Sequence, residues 1–340
     1  MKNRKREICT SGSVRDEDGQ PPHLLGRRKL LHLAAGAAAL PVMSRIAWAQ
    51  TYPMRLVRLI VGYPAGGGVD IVARIIGQWL SERLGQPFVI ENRPGASTNI
   101  ATEAVVRAPA DGYTLLLAFS TNAINASLYD KLNYNFIRDI APVAGIARAL
   151  DVILVNPSVP AKTVPELIAY AKANPGQLNM GSGVTELPHM STGIKMVHVP
   201  YRGMAPALTD LIGGQVQLMF GSMPSSIEYI RAGRLRALAV TTSATRSAEL
   251  PDIPTVGDFV AGYEASTWYG VGAPKGTPAE IIDKLNKEVQ AALIDPKLKV
   301  QLAGLGATAL AGSPAEFGRF IADETDKWAN VVKFAGIKPE

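Results

Sequence analysis

The sequence predicts an α/β protein made of two doubly wound α/β domains with a hinged cleft. Three observations carry that expectation. Strand-length apolar runs alternate with helical periodicity before residue 150, and the same alternation returns after it. The turns that follow the strands are rich in glycine or short polar residues. Two amphipathic helices come last, after residue 270, when the first unit still has few helices to cover its sheet. The chain therefore leaves domain 1 near residue 150 and returns near 270, giving domain 1 as 50–150 plus 270–340 and domain 2 as 151–269. Two such crossings make a hinge. With 340 residues and 47% apolar composition, the chain is too long for one average domain.

Each element has a local reason. "MRLVRLIV" (54–61) is rich in branched apolar residues and reads as a strand. Beyond the turn "GYPAGGG", Val72, Ile75, Ile76, Trp79, Leu80 and Leu84 share one helical face, and Gly85 stops the helix. "PFVIEN" (87–92) is a strand, "NIATEAVVRA" (99–108) a helix and "TLLLAF" (114–119) a buried strand after the turn "DGY". In the second unit, strands are expected at 151–156, 177–181, 195–201, 216–220 and 235–241. Helices are expected at 163–176, 204–214 and 224–233. Pro165 and Asn174-Pro175-Gly176 punctuate the first of these helices. "STWYGVGAP" (266–274) precedes helices near 278–294 and 314–334.

The formal charge of +6 suggests nucleic acid until it is located. Residues 1–49 hold nine Lys/Arg and four acids, which leaves 26 basic and 25 acidic residues for the rest. No basic stripe with interleaved aromatics follows, so no nucleic-acid partner is expected. The N-terminal segment reads as an export leader: a twin arginine in "GRRKLL", an apolar stretch from Leu30 to Met43, and an A-x-A site in "AWA". Cleavage is expected near Ala49/Gln50, with a periplasmic product. The apolar stretch is shorter than the ~20 residues of a spanning helix. Cys9, the one cysteine, leaves with the leader.

Chemistry is sparse in what remains. No H-E-x-x-H, C-x-x-C or G-x-S-x-G motif occurs, so no catalytic residue, metal or cofactor is expected. His198 lies in an apolar strand and reads as packed. The loop "AGGGVD" lacks the Lys-Ser/Thr of a P-loop, and Ile71 stands where G-x-G-x-x-G needs its last glycine. Three glycines at a helix N-terminus nevertheless leave amide groups open to an anion, and a carboxylate fits as well as a phosphate. Asp70 reads as a helix cap or as a contact to a ligand donor group. Ser120, Thr121 and Asn122 in the loop "FSTNAIN" should emerge at the same sheet edge, one as a plain cap and the others toward the ligand.

These stretches, together with "VNPSVPAKTVPELIAYAKANPGQLNMGS", "VHVPYRGMAPALTDLIGGQVQLMF" and "GYEASTWYGVGAPKGTP", resemble the substrate-binding proteins of tripartite tricarboxylate transporters, the Bug-type receptors. The resemblance runs from about Tyr52 to the C-terminus. It implies a type II periplasmic-binding-protein-like fold and a monomer that captures a small organic acid for membrane permease subunits. It also implies a site of Tyr63, Ala65, Gly66, Gly67, Asp70, Ser120, Thr121 and Asn122 from domain 1, and of Gly181, Ser182, Tyr201 and Arg202 from domain 2. Two features depart from the family pattern. The crossover Ser182–Ile194 is short, and Gly221-Ser222 stands where the family often has an acid, which favours a plain carboxylic acid as ligand. An exported sensor and a dinucleotide-binding enzyme are the alternative readings. The export leader and the missing third glycine oppose the enzyme.

Overall fold

The computed structural model describes residues 52–182, 196–242, 246–259 and 265–335. The leader, its cleavage site, His189 and the crossover 183–194 lie outside the described residues.

The first sheet begins with β1 (Val57–Val61), β2 (Phe88–Asn92) and β3 (Thr114–Phe119), paired parallel with β1 in the middle. Both faces of β1 are covered, so it reads as a continuous apolar run. Val57, Leu59 and Val61 pack on α1 (Gly68–Leu84) and α8 (Ala279–Ile294) through Val72, Ile76, Leu80, Leu285 and Val289. Ile60 faces the other way, toward α2 (Asn99–Val106) and α10 (Pro314–Ala335) through Ala101, Val105, Phe317 and Ile321. Gly85 closes α1 in the left-handed conformation, φ 71°.

The middle of the fold is antiparallel. β9 (Ser266–Pro274) pairs antiparallel with β3 on one side and with β4 (Ile140–Val155) on the other. β4 has 16 residues, of which the sequence reading found only the last part. The first part, "IAPVAGIARAL", contains Pro142 and Gly145, which ordinarily argue against a strand. The register shifts between Pro142 and Ala144 and between Gly145 and Ala147, so bulges absorb both residues.

β4 changes partners at one peptide. Leu150 still pairs with Ser266 of β9, whereas Asp151 pairs with Ser222 of β7 (Leu218–Ser222). From there β4 also pairs with β8 (Arg236–Val240). Beyond β7 lie β5 (Asn179–Ser182) and β6 (Val197–Pro200), all three parallel. The strand order is β2-β1-β3-β9-β4-β7-β5-β6. The second set packs its own cores: Ile153, Val155, Leu218 and Phe220 with Leu167 of α5 (Val164–Ala173), and Val152, Leu154 and Met219 with Leu208 of α6 (Met204–Ile212) and Ile227 of α7 (Met223–Arg231).

Three expectations need correction. The segment from Ser120 is no loop but a helix, α3 (Ser120–Leu128), which begins directly at the end of β3. A further helix, α9 (Pro296–Gly304), escaped the periodicity because it buries only Leu298 and Leu302; Asp295 caps it through the Lys297 and Leu298 amides. His198 is exposed rather than packed, and its ring meets Ser182.

Candidate ligand-binding cleft

β1 and β3 run parallel, so the turns that leave them emerge at one edge. The turn after β1 is built around Gly66, whose φ of 86° only glycine adopts without strain. The first intrahelical bond of α1 is Ile71 N–H to the Gly67 carbonyl, 3.0 Å. The amides of Gly68, Val69 and Asp70 therefore have no acceptor inside the helix. Asp70 is buried and takes four donors: the Gly66 amide at 2.9 Å, Arg74 Nε at 2.8 Å and Nη2 at 3.0 Å, and Asn92 Nδ2 at 3.0 Å. Burial pushes its pKa up, but these hydrogen bonds outweigh that and hold it below the usual carboxylate range. A carboxylate offers about four lone-pair sites, so Asp70 is filled by protein and braces the glycine turn. Asn92 Nδ2 also binds the Tyr63 carbonyl, 2.9 Å.

The second turn divides its labour similarly. Asn122 Oδ1 accepts the Phe119 amide at 2.9 Å, which caps α3, and its Nδ2 donates to Thr102 Oγ1 at 2.8 Å. Thr121 Oγ1 and the Tyr63 hydroxyl stand 2.6 Å apart. Ser120 is buried, and its hydroxyl has no hydrogen-bond partner among the described residues. The first amides of α3 are open at the helix N-terminus, as in α1.

The helices of the second sheet come to meet these turns. A methyl group at Gly68 would stand 2.6 Å from Ser222 Oγ and 3.2 Å from the Tyr269 hydroxyl. One at Gly203 would stand 2.7 Å from Pro64 Cδ, and one at Gly67 would stand 3.6 Å from Met204 Cβ. The N-terminal ends of α1, α6 and α7 thus lie against one another, with α3 joined through the Thr121–Tyr63 contact. The remaining second-sheet residues are spread out. Ser182 is buried with its Oγ 2.5 Å from His198 Nε2. Gly181 packs beneath the Tyr201 ring, 3.4 Å from a methyl placed there. The Tyr201 hydroxyl donates to Asp210 at 2.7 Å; burial and that carboxylate push its pKa up to about 12. Arg202 is exposed and forms no ion pair among the described residues.

Of the floor, sequence reasoning named Tyr63 and missed Phe119 and Tyr269. Tyr63, Phe119 and Tyr269 make a chain of ring contacts, 5.4 Å between successive centroids. The Tyr269 hydroxyl is buried without a partner; Ser222 and Thr267 lie near it without reaching hydrogen-bond geometry. Beside it, Thr267 Oγ1 donates to Asp151 Oδ1 at 2.6 Å. The signal was available: Asp151 is the one acid heading the apolar run "DVILVN".

With this geometry in hand, comparison with known proteins is informative. The model of the tripartite tricarboxylate transporter family receptor, TctC, matches residues 72–337. Protein BugT of Bordetella pertussis is 39% identical over 321 residues, covering 91% of this chain and 96% of BugT. The structure of R. palustris Rpa4515 with adipate is 40% identical, with a TM-score of 0.81 to 0.82 among such neighbours and 0.82 for this one, covering 85% of this chain and 100% of that chain. MatC from Rhodopseudomonas palustris with bound malate is 30% identical with a TM-score of 0.78, covering 83% of this chain and 100% of that chain. These similarities, over a fold of matching architecture, establish that the chain belongs to the tripartite tricarboxylate transporter receptor family of periplasmic solute-binding proteins.

Proposed function

We propose that this chain is an extracytoplasmic receptor that captures a small carboxylic acid and presents it to the membrane permease of a tripartite tricarboxylate-type transporter. One observation carries the reading. Helix N-termini from both sheets meet at one place, where Gly67 and Gly68 of the first turn stand against Met204 and Ser222. Orphan amides and helix dipoles favour an anion there without any catalytic group. Relatives with adipate and with malate support the ligand class.

In this reading the open donors of Gly67, Ser120 and the first turns of α1 and α3 hold a carboxylate. Asp70, Thr121 and Asn122 position those donors through bonds to Gly66, Tyr63 and Phe119. Ala65, Gly181, Ser182, Tyr201 and Arg202 line the remaining walls. The partner switch of β4 at Leu150–Asp151 supports a division into 50–150 plus 270–340 and 151–269, with closure about β4 and β9. Export through the N-terminal leader, cleavage near Ala49/Gln50 and a monomeric product complete the proposal.

The test is calorimetry, with thermal shift alongside, of the purified chain against C4–C6 mono-, di- and tricarboxylates. The expected result is micromolar or tighter binding of at least one acid, with a raised melting temperature. Failure of every acid to bind or stabilise a folded sample overturns the reading.

A further inference from the structure

Asp151 stands in an unusual place for an acid. It lies deep in the molecule, yet keeps solvent-accessible surface, as a residue lining an internal cleft does. Its backbone is fixed on both sides: its amide donates to Thr241 Oγ1 at 3.0 Å and its carbonyl accepts the Thr241 amide at 2.9 Å. Asp151 is directly opposite Ser222 across β4 and β7, so the two side chains share a face. Ser222 Oγ in turn sits against Gly68 at the head of α1. Asp151 Oδ1 takes the Thr267 hydroxyl, and Oδ2 takes no donor among the described residues.

Among the described residues, the groups shown against it carry no positive charge. β9 presents Thr267 and Tyr269, β7 presents Ser222, and Thr241 follows directly on β8. Asp70 and Arg74 on α1 neutralise each other. Arg148, three residues back on β4, falls on the opposite face, where it binds Ser266 at 2.9 Å and covers the Phe320 ring. Burial therefore dominates and raises the Asp151 carboxyl from 3.8 to about 6. The Tyr269 hydroxyl beside it is a second polar group without a partner. A site already supplied with amide donors thus also contains an acceptor with unused lone pairs.

We propose that Asp151 is the specificity-determining acceptor of this cleft: it receives a hydroxyl or ammonium donor carried beside the ligand's carboxylate, so that the receptor selects hydroxy- or amino-substituted organic acids over plain ones. The proposal rests on the carboxylate-receptor reading above and reverses the expectation of a plain acid. A second carboxylate at this point would meet like charge in a poorly solvated place, and an unsubstituted methylene would leave Oδ2 without a donor.

Calorimetry on the full chain tests it with two matched sets: succinate, malate and aspartate, then glutarate, 2-hydroxyglutarate and glutamate. The hydroxy or amino member of at least one set should bind about tenfold more tightly than the plain acid, the scale of one hydrogen bond to a charged group. Which member wins identifies the donor. Asp151→Asn should reduce that ratio to about threefold or less, and Thr267→Val, which removes the group aiming Asp151, should reduce it partway. Equal binding of plain and substituted acids by the unaltered protein overturns the proposal without need of a variant. So does a preference that Asp151→Asn leaves intact; either result leaves the carboxylate reading standing. Binding of no acid at all removes that reading and this proposal together.

Discussion

Two aspartates at the cleft teach opposite lessons about the same side chain. Asp70 is filled: an amide, a guanidinium fork and a side-chain amide occupy its oxygens. Asp151 is nearly empty, with one hydroxyl on one oxygen. The first carboxyl is held below the ordinary range and the second is pushed to about 6. Protein satisfies the acid that holds a turn in place and leaves unsatisfied the one proposed as the ligand's acceptor. The contrast separates construction from recognition within one site, and each arm can be broken.

The largest loss should come from Asp70→Ala. It leaves the Gly66 amide without its acceptor and Asn92 with only the Tyr63 carbonyl, and frees the turn, at a cost of about 3 kcal/mol in stability. Binding of any cognate acid should fall at least about 100-fold, because the amides of α1 are no longer aimed. The pH dependence has a definite sign. Asp70 titrates lower in the folded chain, so its contribution is full above its unfolded pKa of about 4 and is lost as pH falls through the folded value. Thermal melts should therefore show the gap between the two proteins narrowing in acid; a gap independent of pH would contradict the assignment.

Asp151→Asn should do the reverse. A carboxyl raised from 3.8 to about 6 binds protons more readily folded than unfolded, so it weakens the fold at neutral pH and not at pH 4. Removing the charge should stabilise the ligand-free protein by about 1–3 kcal/mol at pH 8, after allowance for its remaining solvent contact, and by little at pH 4. Melting temperatures at the two pH values check this. A variant less stable at pH 8 would mean that Asp151 is structural.

Gly68→Ala comes next. Its added methyl would meet Ser222 Oγ at 2.6 Å and the Tyr269 hydroxyl at 3.2 Å, and the serine can turn aside only by leaving Ser225, 2.9 Å away. A destabilisation of about 1–2 kcal/mol is expected by melting or chemical denaturation. An unchanged midpoint would show that α1 and α7 are less tightly apposed than these distances imply.

What the sequence could reveal of this arrangement follows from where information is local. Strand and helix identities before residue 120 were legible, because a buried parallel strand is a continuous apolar run and Gly85 marks its helix end. The first part of β4 was hidden by Pro142 and Gly145, since bulges depend on the partner strand and not on local preference. The helix at Ser120 was hidden because serine, threonine and asparagine favour turns and helix starts alike. Within the site, the glycine turn announced itself through three adjacent residues. Asp151, Thr267, Tyr269 and Ser222 are scattered over three strands and meet only through register, so no single stretch of sequence brings them together, even where one of them, as Asp151 does at the head of its apolar run, stands out locally.

The three glycines themselves now separate by physical cause, and Gly67 gives the finest test. Gly66 needs its positive φ and Gly68 needs its space. Gly67 needs neither: at φ −81° and ψ 168° it is extended, and a methyl there would meet Met204 at an ordinary 3.6 Å. Gly67→Ala should therefore shift stability by less than about 0.5 kcal/mol. If an acid lies against this backbone, the same methyl occupies the ligand's place, and affinity should fall by about tenfold or more. Loss of affinity with an unchanged melting temperature marks a glycine kept for the ligand, whereas loss of both marks one kept for the fold. Unchanged affinity would move the bound carboxylate away from Gly67 and toward Ser120 and the head of α3.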